Sequence, residues 1–219
     1  MSIVYGVYGA SGFGKEVLPL VKEQFGSESK IFFVDDGDVP KELLGYDILN
    51  FEQFVNLEGQ KKVTIAIANS QIREKLTLKC LESGVEVFDV KASNSIVLED
   101  VNMGEGSIIC PFVILTSNIT IGKSFQANLY SYVAHDCIIG DYVTFAPAVK
   151  CNGNIHIGDH VYIGTGAIIH QAKPNRPLKI GKGAVIAAGS VVTKSVPDGM
   201  TVFGNPAIKF TKETIKRRS

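Results

Sequence analysis

The sequence predicts an α/β, half-Rossmann N-terminal domain followed by a parallel β-helix of hexapeptide repeats. Three observations lead there. Strand-like and helix-like stretches alternate up to about residue 92. A glycine-rich segment, Gly9-Ala-Ser-Gly12-Phe-Gly14, joins the first strand to the first helix. From Val97 onward an apolar or small residue recurs every six positions. The expected boundaries are 1–92 for the α/β domain, 93–197 for the β-helix and 198–219 for a C-terminal cap with a basic tail.

In chain order, "IVYGVYG" is an apolar run ending in glycine, a buried strand. "GKEVLPLVKEQF" has helical spacing, with Pro19 as a local irregularity. "KIFFVDD" is a second buried strand ending in Asp35 and Asp36, and "KKVTIAIAN" is a third. "SQIREKLTLKCLESG" reads as an amphipathic helix closed by Gly84, and "VEVFDV" ends the series. Such βαβ alternation implies a parallel sheet, here half the size of a full dinucleotide-binding fold. Glycines let a backbone approach phosphate, and a helix N-terminus offers N–H donors. Asp35 lies where an acid would reach a ribose hydroxyl. These features alone also fit a nicotinamide dehydrogenase, but only one mononucleotide half is present and no substrate domain follows. Asn69 and Arg73, after the third strand, are candidates to face a base or a phosphate. For Arg73 a solvated helix charge is the alternative.

The second half repeats with a period of six. Thirteen consecutive first positions, Val97 to Ile169, are apolar or small, and so are twelve of the thirteen positions four residues later. Lys173 breaks the pattern, "NRPLK" is an insertion, and the period resumes at Ile180, Ile186 and Val192. A period of six fits neither a helix at 3.6 nor a strand at 2. It fits a solenoid in which first and fifth positions point inward and stack at a rise of about 4.8 Å per coil. Both ends of such a stack need covers.

Composition narrows the partners. Twenty-two basic and 22 acidic residues balance, so bulk charge gives no indication of nucleic acid. No apolar run is long enough to span a bilayer, and the start is unlike a signal peptide. Cys80, Cys110, Cys137 and Cys151 have no CxxC spacing, which suggests reduced thiols, a cytoplasmic location and no metal.

His135 occupies the third position of "VAHDCI", between inward Val133 and Cys137, and so lies outside or at a corner. Imidazole is a good base near neutrality, and the adjacent Asp136 can hold its tautomer and stabilise the imidazolium. His156, His160 and His170 take other repeat positions and are expected to be solvated or at a subunit contact.

The "IGxxVx" hexapeptides resemble those of left-handed β-helix acyltransferases. The order "YGASGFGKE", "VDD", "AIANSQIREK", then the repeats with "HD", resembles the NeuD-like sugar acetyltransferases over nearly the whole chain. Within that family, "ANLYSYVAHDCIIGDYVTFAPAVKCNG" is most similar to enzymes that N-acetylate nucleotide-linked 4-amino-4,6-dideoxyhexoses such as GDP-perosamine. The resemblance implies a homotrimer with acetyl-CoA in the groove between neighbouring β-helices. It implies His135 as general base, Asp136 as its orienting acid and Gly153 N–H as oxyanion donor. It places Thr144, Gly153, Thr165 and Ala188 along acetyl-CoA, and Ser11, Gly12, Phe13, Asp35, Asp36 and Asn128 near the nucleotide-sugar. Some relatives carry histidine at the positions of Phe13 and Thr144. The implied reaction is 4-N-acetylation of a GDP-, dTDP- or UDP-linked amino-sugar for O-antigen or other surface-glycan synthesis. An O-acetyltransferase of the sialic acid type and a non-catalytic β-helix scaffold are the alternatives.

Overall fold

The computed structural model describes residues 2–216, the last two by backbone alone; the end of the basic tail, 217–219, lies outside them. The chain divides into two compact units: Met1–Ser93 with Glu105–Ile108, and Asn94–Gly104 with Ile109–Ser219.

In the first unit β1 (Ile3–Tyr8) is followed by α1 (Gly12–Phe25), β2 (Lys30–Val34), β3 (Glu42–Leu43) and β4 (Tyr46–Leu49). Then come α2 (Phe51–Val55), β5 (Gln60–Ile65), α3 (Ser70–Glu82) and β6 (Glu86–Val87). The sheet order is β3-β4-β2-β1-β5-β6, parallel except for the β3–β4 pair. Central β1 is buried along its last five residues, as a strand covered on both faces must be. The short β3–β4 hairpin and α2 add to the elements expected from the sequence. A five-residue helix shows too little periodicity; its capping box, Asn50 with Gln53, is the signal that marks it. In α3 the expected amphipathic pattern fails. Arg73, Thr77 and Cys80 face inward, while Ile72, Leu78 and Leu81 stay about half exposed.

The second unit is a parallel β-helix. Its strands stack as Val97–Leu115–Val133–Cys151–Ile169–Val192 on one face, with equivalent ladders on the other two. From Ile109 to Ile169 every first and fifth position is buried; Val97, Val101 and Met103 in the opening coil are half-buried. The loop around Lys173 lengthens one coil without breaking register, since Ile157 pairs with Ile180 and Ile163 with Ile186. The coil runs past the expected end at 197. Thr201–Phe203 adds a parallel rung beside Val185–Ile186, buries Val202, and is paired by antiparallel Ile208–Lys209 before α4 (Lys212–Lys216). Each fully buried Val, Ile or Phe is worth about 1.5–3 kcal/mol against exposure, so a coil with six inward positions holds chiefly through its interior.

From Asp100 to Gly166 the fourth position of each hexapeptide turns the corner in left-handed conformation. One corner carries Asp100, Asn118, Asp136 and Asn154, at φ between 56° and 60°. Asn and Asp tolerate that region best among side chains with a Cβ. No helix among the described residues is long and apolar enough to cross a membrane.

Two glycines of the first loop serve different purposes. A Cβ on Gly14 would overlap the Gly9 carbonyl oxygen, so this glycine permits close helix–strand packing. A Cβ on Gly12 would meet nothing within 4 Å. Gly14→Ala is therefore expected to destabilise the first unit by more than about 2 kcal/mol, and Gly12→Ala to leave stability unchanged, as read by chemical denaturation. Equal stabilities would contradict this packing assignment.

Candidate active site

His135 and Asp136 stand at the corner of the β-helix that carries the Asx residues, with side chains 54% and 49% exposed. His135 Nδ1 lies 2.7 Å from Asp136 Oδ2. A carboxylate can only accept, so Nδ1 carries a proton, and in the neutral imidazole Nε2 is left with the lone pair. Asp136 Oδ1 accepts from Asn118 Nδ2 at 2.6 Å. Those two hydrogen bonds, the one from His135 first, hold the Asp136 carboxyl below its ordinary value.

Gly153 lies one coil on from His135. A Cβ there would come within 2.6 Å of His135 Nε2 and Cε1, so glycine is required by the imidazole packed on it. Its φ is not left-handed, so the position needs glycine for the missing Cβ and not for its backbone conformation. The peptide between Asn152 and Gly153 is anchored from inside: Cys137 Sγ donates to the Asn152 carbonyl at 3.3 Å. In a trans peptide C=O and N–H point in opposite directions. An inward carbonyl therefore turns the Gly153 N–H outward, and this N–H donates to no group among the described residues. The Asn152 side chain is braced too, accepting from Tyr132 Oη at 2.8 Å and donating to the Ile169 carbonyl at 2.7 Å.

Asn128, Thr165 and Ala188 lie along a different corner, one face away from that of His135: Asn128 in the His135 coil, Thr165 two coils on and Ala188 three coils on. Thr165 and Ala188 are exposed. Asn128 Oδ1 accepts from Leu129 N–H, and its Nδ2 donates to nothing among the described residues. Thr144 departs from expectation. It is 6% exposed and offers no open groove wall. Of the other histidines, His160 is half-buried and stacks on Tyr142 at 5.4 Å, while His170 is exposed.

In the first unit the loops after β1, β2 and β5 lie side by side, because Gly9 N–H donates to the Val34 carbonyl and Ala66 N–H to the Tyr8 carbonyl. Ser11 and Gly12 are exposed at this edge and Phe13 is half-buried. Asp35 accepts from Ala10 N–H at 2.8 Å and Gly37 N–H at 2.9 Å, which shapes the glycine loop and leaves each oxygen room for one further donor. Asp36 is more committed. Oδ1 accepts from Phe51 N–H, and Oδ2 from Tyr8 Oη at 2.5 Å and Lys79 Nζ at 2.7 Å. Burial pushes the Asp36 carboxyl up, but the bonds from Lys79, Tyr8 and Phe51 outweigh it and hold it down. Asn69 caps α3, accepting from Ile72 N–H.

Arg73 corrects both sequence expectations. It is neither a solvated charge nor open to a phosphate, being fully buried with Nη1 donating to the carbonyls of Ile67 at 2.7 Å and Ala68 at 3.1 Å. A buried guanidinium needs such acceptors, and here it fixes the loop after β5. Asn118 is the site residue that sequence reasoning missed. Its signal was the eighteen-residue spacing to Asp136, one full coil.

Removing the Asn118 donor should raise the Asp136 titration toward the ordinary carboxylate value. Because the shift in the native protein is downward, the Asp136 carboxylate would then be protonated at a higher pH as pH falls. Carbon-detected NMR of Asn118→Ala reads this directly; an unmoved Asp136 titration would contradict it.

Residues 6–80 match the family described as the PglD N-terminal domain. The chain is 49% identical over 209 residues to the GDP-perosamine N-acetyltransferase of Escherichia coli O157:H7, covering 93% of this chain and 95% of that one. WeeI from Acinetobacter baumannii AYE superposes with a TM-score of 0.94 at 57% identity, over 95% of this chain and all of that one. The acetyltransferase domain of PglB from Neisseria gonorrhoeae FA1090, solved in complex with acetyl coenzyme A, follows at 0.85 and 28%, over 96% of this chain and all of that one. With these matches spanning both units, the chain belongs to the NeuD-like family of left-handed β-helix sugar acetyltransferases that carry a PglD N-terminal domain.

Proposed function

We propose that this protein transfers the acetyl group of acetyl-CoA to the 4-amino group of a nucleotide-linked 4-amino-4,6-dideoxyhexose, a cytoplasmic step in surface-glycan synthesis. The observation that carries the reading is the 2.7 Å His135–Asp136 bond, which leaves Nε2 as acceptor beside an outward Gly153 N–H. His135 Nε2 takes a proton from the amine as its nitrogen attacks the thioester carbonyl. Asp136 stabilises the imidazolium, and Gly153 N–H receives the oxyanion of the tetrahedral intermediate. When the C–S bond breaks, His135 returns the proton to the leaving thiolate, so no charge is left on the enzyme.

Ser11, Gly12, Phe13 and Asp35 are assigned to the nucleotide. The open space beside Gly12 supports this, since nothing in the fold requires glycine there. Asp36 and Asn69 shape that edge through their own hydrogen bonds. The names of the Escherichia coli and Neisseria relatives support an amino-sugar acceptor and an acetyl-CoA donor. Four free cysteines accord with a cytoplasmic setting.

We assign the active form as a homotrimer. His135 and the Asn128–Thr165–Ala188 group occupy different corners, so a groove lined by both needs a neighbouring copy. The face between those corners exposes Ile96, Ile114 and Ile168, flanked by Phe112 stacked on Tyr130 at 4.9 Å. Between Ile114 and Ile168 the column carries Tyr132 and Lys150, whose ammonium lies 5.2 Å from the Tyr132 ring centroid; a largely apolar face of this kind suits burial against a second copy.

His135→Ala is expected to fold normally and lose about 100-fold or more in kcat/KM, the scale of a lost general base. GDP-perosamine is the first acceptor to assay, beside dTDP- and UDP-linked 4-amino-sugars and free sialic acid. Near-full activity of the variant would remove the base assignment, and turnover of sialic acid alone would establish the O-acetyl alternative. Ile114→Asp should shift the mass measured by light scattering from trimer toward monomer; a monomeric native protein would overturn the trimer.

A further inference from the structure

The peptide between Asn152 and Gly153 stands outside the rung ladder. Ala134 N–H donates to the Cys151 carbonyl at 2.8 Å, and Asn154 N–H donates to the His135 carbonyl at 2.9 Å. The peptides on either side are thus tied to the coil before. The Asn152 carbonyl and the Gly153 N–H take no backbone partner among the described residues. This plane could turn over without breaking a rung, and Gly153, having no Cβ, offers little resistance. Turned over, it would present a carbonyl where the oxyanion needs a donor.

Two side-chain holds oppose that motion. Inside, Cys137 Sγ donates to the Asn152 carbonyl at 3.3 Å, but a thiol is a weak donor. Outside, the Asn152 amide is bonded at both ends. Its Oδ1 accepts from Tyr132 Oη at 2.8 Å, and its Nδ2 donates to the Ile169 carbonyl at 2.7 Å. The Asn152 backbone N–H reaches the same carbonyl at 3.3 Å, so the side chain makes the shorter bond to the next coil. Asn152 is therefore clamped between the coil before and the coil after, at the Cα where the free peptide plane begins. Tyr132 is held in its turn. Lys150 Nζ lies 5.2 Å from its ring centroid and donates to the Tyr130 carbonyl at 3.2 Å.

This bonded pair falls at the coil that carries Gly153. The equivalent pairs in other coils are Ile96 with Thr116, Ile114 with Ala134 and Ile168 with Thr193. An isoleucine side chain donates nothing, so those corners lack the brace.

We propose that Tyr132 and Asn152 are positioning residues for the oxyanion donor: the Tyr132 hydroxyl, acting through the Asn152 amide, keeps the Gly153 N–H aimed outward. The proposal rests on acetyl transfer taking place at His135 and Gly153. The pair touches neither substrate, and its effect falls on the rate of the chemical step.

The test follows acetyl transfer in single turnover, where product release does not enter. The donor is acetyl-CoA and the acceptor is the nucleotide-linked 4-amino-sugar that the native enzyme uses. Tyr132→Phe removes the hydroxyl and keeps the ring. Its rate should fall about tenfold, part of the roughly 100- to 1,000-fold that loss of an oxyanion donor costs. The KM for both substrates, the melting temperature and the acid limb of the pH–rate profile should stay native, because the His135–Asp136 pair is untouched. Asn152→Ala should lose at least as much, and Y132F/N152A no more than Asn152→Ala alone, since both act along one path. A native rate in Tyr132→Phe overturns the proposal. So does a loss that comes with a raised KM, a lowered melting temperature or a shifted acid limb, or a double variant whose loss is the product of the two single losses. A native enzyme that transfers no acetyl group from acetyl-CoA to any of these acceptors overturns the acetyltransferase reading, and the positioning role with it.

Discussion

The in-register stacking of eighteen-residue coils is the constraint on which the catalytic half depends. Each parallel rung pairs with the next, so residues eighteen apart sit one above another. Turning each corner needs a left-handed fourth residue, a conformation that disfavours most side chains by about 1–2 kcal/mol. Buried Val, Ile and Phe side chains within the coils offset that strain. One corner lowers it by using Asp and Asn throughout, and that choice also supplies the acid of the catalytic pair.

The site follows from this geometry. Asp136 is at once a corner residue, a partner of Asn118 in the coil before and the acceptor for His135. Gly153 falls under His135 because it is one coil later, and the missing Cβ makes room for the ring. Cys137, on the inner side of the same corner, holds the Asn152 carbonyl inward. A core thiol thus fixes the orientation of the Asn152–Gly153 peptide. Precision here comes from rigid rungs, whose side chains have few alternative positions.

The first unit uses polar burial for the same purpose. Arg73 and Asp36 both resemble ligand-facing charges in sequence, yet each is turned to the protein's own groups. A buried guanidinium without acceptors would be severely destabilising, so the carbonyls of Ile67 and Ala68 and the loop that carries them are locked together. Lys79 lies 4.2 Å from the centroid of the Phe51 ring, while its ammonium holds Asp36. The loops at this edge are therefore stiff before any ligand arrives, which lowers the ordering cost of binding.

Periodicity determined much by itself. The six-residue repeat in Val97–Ile169 specified the solenoid and its inward positions, and it put His135 outside, because side-chain direction in a rung follows from position alone. The βαβ order and the glycine loop were legible for the same local reason. Tertiary structure decided what depends on neighbours far apart in the chain. It buried Arg73 and Thr144, committed Asp36 to Tyr8 and Lys79, recruited Asn118, and set Asn128, Thr165 and Ala188 on a different corner from the base. A single sequence carries the period of a fold plainly, but whether a charge faces water, a ligand or another residue is settled by which groups the fold brings within hydrogen-bonding distance.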